Sequence, residues 1–198
     1  MTRTRQLVGL LTLLALIVIV LGVTGVQVPV LGAASSGPAL PGVKARAVTM
    51  LLRAPVGAEL AYMAVEPDGN LLVSDSKRAS VLRFDPSGQV LSEWGPQFGD
   101  VELAEPAGVA VSGGSYYVLD RGTPRILRLD STGQLQGVFD LQPYGPYGLN
   151  GLAVDAAGNL YAADTGRNRI LELSPTGQLL NQIGHPGSDL GGFTQPYM

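Results

Sequence analysis

The chain has 198 residues, 45% of them apolar but only 6% aromatic and 15% charged, and its 13 Lys and Arg against 16 Asp and Glu leave a formal charge of −3. It has no cysteine and a single histidine, His185. This excludes a disulfide scaffold, a thiol nucleophile, a lipid-modified N-terminal cysteine, a cysteine-ligated zinc site and any multi-histidine metal centre within the chain.

The first predicted element is an apolar segment. Arg3 and Arg5 precede an uncharged stretch that lasts until Lys44, and Leu7–Val26 within it is dominated by Leu, Ile and Val. At about 1.5 Å per residue such a helix spans about 30 Å, the hydrocarbon thickness of a bilayer. Residues 1–31 are therefore expected to be a transmembrane anchor or signal segment, with the basic flank cytoplasmic and the rest of the chain exported. Ala33-Ala34-Ser35 offers small residues to a signal peptidase, so a cleaved signal, and with it a secreted product, is the competing expectation. Residues 32–43, rich in Gly, Ser and Pro, read as a flexible linker.

Residues 44–198 contain an internal repeat. Val81-Leu-Arg-Phe-Asp-Pro-Ser-Gly-Gln-Val90, Ile126-Leu-Arg-Leu-Asp-Ser-Thr-Gly-Gln-Leu135 and Ile170-Leu-Glu-Leu-Ser-Pro-Thr-Gly-Gln-Leu179 align at offsets of 45 and 44. The same offsets relate Asp75, Asp120 and Asp164. Each unit holds four short apolar runs; in the third they are Gly151–Asp155, Leu160–Asp164, Arg169–Leu173 and Gln178–Ile183. Gly-containing turns such as Asp68-Gly-Asn70, Ser87-Gly88, Thr132-Gly133 and Thr176-Gly177 separate the runs, and Asp68-Gly-Asn70 and Ala157-Gly-Asn159 read as hairpin turns rather than calcium loops. Four strands per ~40–50 residues is the period of a β-propeller blade. The predicted fold is all-β: about three four-stranded blades of an incomplete ring, at about 60–95, 106–139 and 148–184, with the start of a fourth at 192–198. Three blades do not close a ring, since propellers have ~4–8, so the expectation is a piece of a longer protein. Val48–Leu52 would be an outer strand contributed to a closing blade.

The third unit carries Gly151-Leu-Ala-Val-Asp155, then Gly158-Asn-Leu-Tyr-Ala-Ala-Asp-Thr-Gly-Arg-Asn-Arg-Ile170, then Thr176-Gly-Gln178. These residues resemble the NHL-repeat β-propeller family; in the first two units Ser76-Lys-Arg-Ala79 and Arg121-Gly-Thr-Pro124 replace Thr165-Gly-Arg-Asn168. The resemblance covers residues 60–198 and implies the fold. It leaves activity open, because NHL-like propellers include binding modules, lyases and lactonases. Asn150-Gly-Leu152 at the start of an inner strand also looks distantly like gluconolactonase-type propellers. There the resemblance implies an asparagine that helps bind a divalent metal.

Strand order places the loop leading into each blade on the same face as the loop between its second and third strands. That face carries Lys77, Arg78, Arg121, Arg125, Arg167 and Arg169, but also Asp75, Asp100, Glu102, Glu105, Asp120, Asp140, Asp164 and Asp189. Eight acids against six bases give no net attraction for phosphate, so no nucleic-acid partner is expected; each arginine is expected to pair with the aspartate ending the second strand or to stay solvated. His185, in a Pro-Gly loop, is expected to be exposed. Tyr144, Tyr147 and Asn150 are the candidate ligand contacts. No catalytic residue and no cofactor is assigned. The chain is thus read as a membrane-anchored, extracytoplasmic propeller that binds a protein, peptide or glycan. One alternative is a lactonase-like hydrolase, the only reading with a cofactor, calcium or another divalent ion. Another is a sensor domain of a larger membrane protein.

Overall fold

The computed structural model describes residues 52–197. The predicted N-terminal segment and linker, and all but the last residue of Val48–Leu52, lie outside them. No helix among the described residues is long and apolar enough to cross a membrane.

The described chain is built of three four-stranded antiparallel sheets, each a simple meander. The first comprises β1 (Leu60–Val65), β2 (Leu71–Asp75), β3 (Ser80–Phe84) and β4 (Val90–Trp94). A short antiparallel pair, β5 (Gln97–Phe98) and β6 (Val101–Glu102), leads into the second, which comprises β7 (Pro106–Ser112), β8 (Ser115–Asp120), β9 (Arg125–Leu129) and β10 (Leu135–Asp140). The third comprises β11 (Leu149–Val154), β12 (Leu160–Asp164), β13 (Arg169–Leu173) and β14 (Leu179–Ile183). The four runs expected in the third repeat are thus four strands. Residues 192–193, expected to open a fourth unit, form β16 (Gly192–Phe193), which pairs in parallel with β15 (His185–Pro186).

Local chemistry explains the hairpins. Between β3 and β4, the Asp85 Oδ1 accepts the N–H of Ser87 at 2.8 Å and of Gln89 at 2.9 Å. Between β9 and β10, Asp130 does the same for Thr132 and Gln134 at 2.9 and 3.0 Å. Between β13 and β14, the Ser174 hydroxyl takes over this role for Thr176 and Gln178. A side-chain acceptor at the first turn position thereby closes a loop whose backbone donors the ladder cannot reach. The Ser87 and Thr132 hydroxyls hold Asp85 and Asp130 below the usual carboxylate range, with the backbone donors adding to the effect.

The sheets stack face to face, and the middle one is buried on both sides. Along β8, Tyr116 and Val118 join Leu72, Val81 and Trp94 of the first sheet, while Tyr117 and Leu119 join Leu152, Leu160 and Leu171 of the third. The period of two sends alternate residues to opposite cores, so a strand covered on both faces needs an unbroken apolar run. In β1 Tyr62 and Ala64 pack against the core shared with the second sheet and Leu60 against Leu71, Val73, Leu82 and Phe84, whereas Met63 and Val65 are 59% and 67% exposed.

A polar latch crosses the first seam. Glu66, 4% exposed, receives Arg83 through two bonds of 2.6 Å and the Tyr116 hydroxyl at 2.9 Å from the next sheet. This pairing drives the Arg83 pKa further up, the hydrogen bond to Glu66 being the main cause. Tyr116→Phe removes the only hydroxyl in the latch and leaves the ion pair. A loss of about 1.5–3 kcal/mol is expected, the range for a hydrogen bond to a charged group, measured by urea unfolding.

On the third sheet the Tyr161 hydroxyl lies 3.1 Å from Glu172 Oε1 and 3.2 Å from Asp155 Oδ2. Its hydrogen bond to Glu172, then desolvation, push its pKa up to about 12. Because the folded state holds this proton more tightly, the stabilisation is complete below pH ~10 and is lost as pH rises towards 12. An alkaline absorbance titration is expected to show Tyr161 ionising late, alongside Tyr62 and Tyr116, whose phenols are also raised by burial. Glu172→Gln brings Tyr161 alone down towards the ordinary value of about 10.

Candidate functional site

The second strand of each sheet ends on a carboxylate that is completely buried: Asp75, Asp120 and Asp164 are each 0% exposed. Each tethers the loop leading into its own sheet. Asp75 Oδ1 accepts the Glu59 N–H at 2.9 Å, Asp120 Oδ1 accepts that of Glu105 at 2.9 Å, and Asp164 Oδ1 accepts that of Tyr147 at 2.7 Å. Asp75 and Asp120 also take N–H groups from the loop that follows them, from Lys77 and Arg78 and from Thr123. The expected sharing of one face by these two loop sets is therefore enforced by hydrogen bonds.

The arginine pairing predicted for that face holds in two sheets. Arg125 meets Asp120 Oδ2 at 3.0 Å and Arg169 meets Asp164 Oδ2 at 2.7 Å. Each guanidinium also reaches a lead-in carbonyl, of Glu102 and Tyr144 respectively. In the first sheet Ser80 stands at the corresponding position. Arg78 Nε comes only to 3.8 Å from Asp75 Oδ2, and the guanidinium instead turns to Glu93, Nη2 donating to its two oxygens at 2.6 and 2.9 Å. Asp75 Oδ2 is left buried without a hydrogen-bond partner.

The candidate site lies where these loops meet the inner strands β1, β7 and β11. Arg121, the first residue after Asp120, donates from Nη1 to Asn150 Oδ1 of the third sheet at 2.5 Å and from Nη2 to Glu105 Oε1. Its own N–H donates to the Glu105 carbonyl at 2.8 Å. The Asn150 amide is fixed from its other end, since Nδ2 donates to the Gly148 carbonyl at 3.1 Å. Arg121 holds the Glu105 carboxyl below the usual carboxylate range, and Glu105 raises the Arg121 guanidinium above its ordinary value. Tyr62 on β1 is close enough to feel the Arg121 charge; burial raises its phenol pKa, with Arg121 opposing. The second and third sheets thus supply one donor–acceptor cluster. At the position equivalent to Arg121 the other sheets carry short side chains: Ser76 returns to the Glu59 carbonyl, and Thr165 donates to the Pro196 carbonyl at 2.7 Å.

Of the three predicted contact residues, Asn150 belongs to this cluster. Tyr147 is 71% exposed. Tyr144 lies half-buried against the core between the second and third sheets and gives its backbone carbonyl to Arg169. His185 is exposed, with Nδ1 3.9 Å from Asp189. Sequence reasoning missed Glu105 and the reach of Arg121. A groove of about 550 Å³ between residues 97–101 and 133–135 includes none of the cluster residues.

No described protein family and no curated protein matches the sequence. Solved structures do resemble the fold. Virginiamycin B lyase from Staphylococcus aureus, seen as an inactive variant with quinupristin, superposes with a TM-score of 0.55 at 14% identity, covering 69% of this chain and 44% of that one. Hydrazine synthase from Kuenenia stuttgartiensis gives 0.54 at 19% identity over 78% and 41%. A gluconolactonase from Xanthomonas campestris gives 0.55 at 22% identity over 70% and 52%. The chain therefore spans about half or less of the length of these structures. At such identities the likeness carries architecture alone: the described chain folds as consecutive blades of a β-propeller.

Proposed function

We propose that this chain is the propeller part of a membrane-anchored, extracytoplasmic NHL-type binding module, which receives a protein, peptide or glycan at the inner rim around Arg121. The observation that carries this reading is the Glu105–Arg121–Asn150 bridge between adjacent blades. It sits on loops that buried carboxylates tie to the framework. Pre-set donors and acceptors on a rigid frame lose little freedom when a ligand docks, which favours recognition. Anchoring rests on the apolar run Leu7–Val26 behind Arg3 and Arg5.

Two measurements test it. A reporter active only outside the cytoplasm, fused after residue 43, is expected to be active and to sediment with membranes; activity confined to the cytoplasm overturns the export. Peptide and glycan arrays probed with the intact protein are expected to give a bound set that Arg121→Ala removes while the melting temperature stays within a few degrees. Robust turnover of an arrayed class, or a bound set indifferent to Arg121, overturns the binding reading.

A further inference from the structure

A metal-dependent propeller of the lactonase type needs an open cation position lined by oxygen ligands at the inner rim. Among the described residues, Glu105 Oε1 and Asn150 Oδ1 are side-chain oxygens of that kind brought together here. Both are already engaged by one cation of the chain itself. Among the described residues no group of three His, Cys, Asp or Glu could hold a metal ion. We propose that Arg121 is the resident cation of this rim: its guanidinium fills the point between Glu105 and Asn150 that a divalent ion would need, and ligand oxygens are received by its N–H groups directly.

Three features support the assignment. Arg121 is held at both ends, because its backbone N–H donates to the Glu105 carbonyl while its guanidinium donates to Glu105 Oε1 and Asn150 Oδ1. The Asn150 amide cannot present its oxygen elsewhere without losing the bond from Nδ2 to Gly148. A guanidinium keeps its charge at every accessible pH, so a divalent ion between the same two oxygens would face a fixed like charge at contact distance. The pair is also not sealed off: the Arg121 side chain is 36% exposed. A guanidinium carries five N–H donors, and two are spent here, on Glu105 and Asn150. The remaining donors suit acceptor oxygens such as carbonyl, carboxylate or hydroxyl groups of a ligand. This inference goes beyond the binding-module reading, because it holds whether the rim binds a ligand or transforms one.

The test uses the intact protein, freed of metal by chelator and titrated with Ca²⁺, Mn²⁺ and Zn²⁺ by calorimetry and thermal melting. The wild type is expected to show no uptake that depends on Glu105 or Asn150. Arg121→Ala is expected to vacate the position. Its melting temperature then rises with low-millimolar guanidinium, or it takes up one divalent ion at least tenfold more tightly than the wild type. If Arg121→Ala does not fold, Arg121→Met serves in its place. A wild-type metal site abolished by Glu105→Gln or Asn150→Ala overturns the proposal. So does an Arg121 variant, folded but indifferent to both guanidinium and divalent ions.

Discussion

Replacing Asp120 by alanine is expected to cost about 3–5 kcal/mol, the range for breaking a buried ion pair by removing one partner. The side chain is wholly buried and accepts from the N–H groups of Ala104, Glu105 and Thr123 as well as from Arg125. Alanine leaves those donors unsatisfied and the half-buried Arg125 uncompensated. Asp120→Asn keeps the shape but replaces one acceptor oxygen by a donor facing Arg125 or the backbone, so it is expected to recover only part of the loss. Asp75 provides the internal comparison. It also tethers its lead-in loop, yet its Oδ2 has no partner, and its nearest guanidinium is held by Glu93. Asp75→Asn is therefore expected to be the mildest of the equivalent Asn changes, because an unmade bond cannot be lost. Chemical denaturation of the Asn and Ala variants measures the whole series. Equal losses for Asp75→Asn and Asp120→Asn would show that the arginine clamp contributes nothing.

Much of this framework is legible in the sequence because it is local. The Asp-x-Ser/Thr-Gly-Gln turn is closed by atoms two and four residues apart, so its chemistry recurs wherever the string recurs. The period of 45 and 44 then fixes four strands per blade. The aspartate that ends each second strand is legible for the same reason, as are two of its arginine partners, five residues further along. What the sequence hides is contact between blades. Tyr116 reaches Glu66 across 50 residues, and Arg121 reaches Asn150 across 29. Neither pair stands at equivalent repeat positions, so periodicity carries no signal for them. Glu105 is concealed in a different way: before folding it is one of eight acids on its face, and only the tether of its N–H to Asp120 aims its side chain at Arg121. The exchange of Arg for Ser80 is visible as a substitution, but its consequence, the redirection of Arg78 to Glu93, depends on side-chain geometry.

One contact between blades does follow the period. Trp94 and Phe139 lie at the ends of the outer strands of consecutive blades, last and last but one, 45 residues apart, and Gly133 and Gly177 close the last hairpins of the blades that follow, 44 apart. A Cβ built on Gly133 would lie 2.5 Å from the Trp94 ring, and one on Gly177 would lie 2.5 Å from the Phe139 ring. The glycine thus meets two demands at once. Its φ of +84° or +83° disfavours an L side chain, and its bare face is the seat for the aromatic ring of the preceding blade. Trp94 also meets Tyr116 edge-on, with centroids 5.1 Å apart, so the ring is held from two sides. Gly133→Ala is expected to cost about 2–4 kcal/mol, combining a left-handed backbone for alanine with overpacking against the indole. Trp94→Ala is expected to cost about 3–5 kcal/mol through the emptied cavity. The two effects act on one contact, so the double variant should lose less than the sum of the singles, since alanine at position 133 no longer collides once the indole is gone. Strict additivity in the denaturation cycle would show that the glycine is required for its backbone conformation alone, and the ring-on-glycine seat would then contribute nothing to joining the blades.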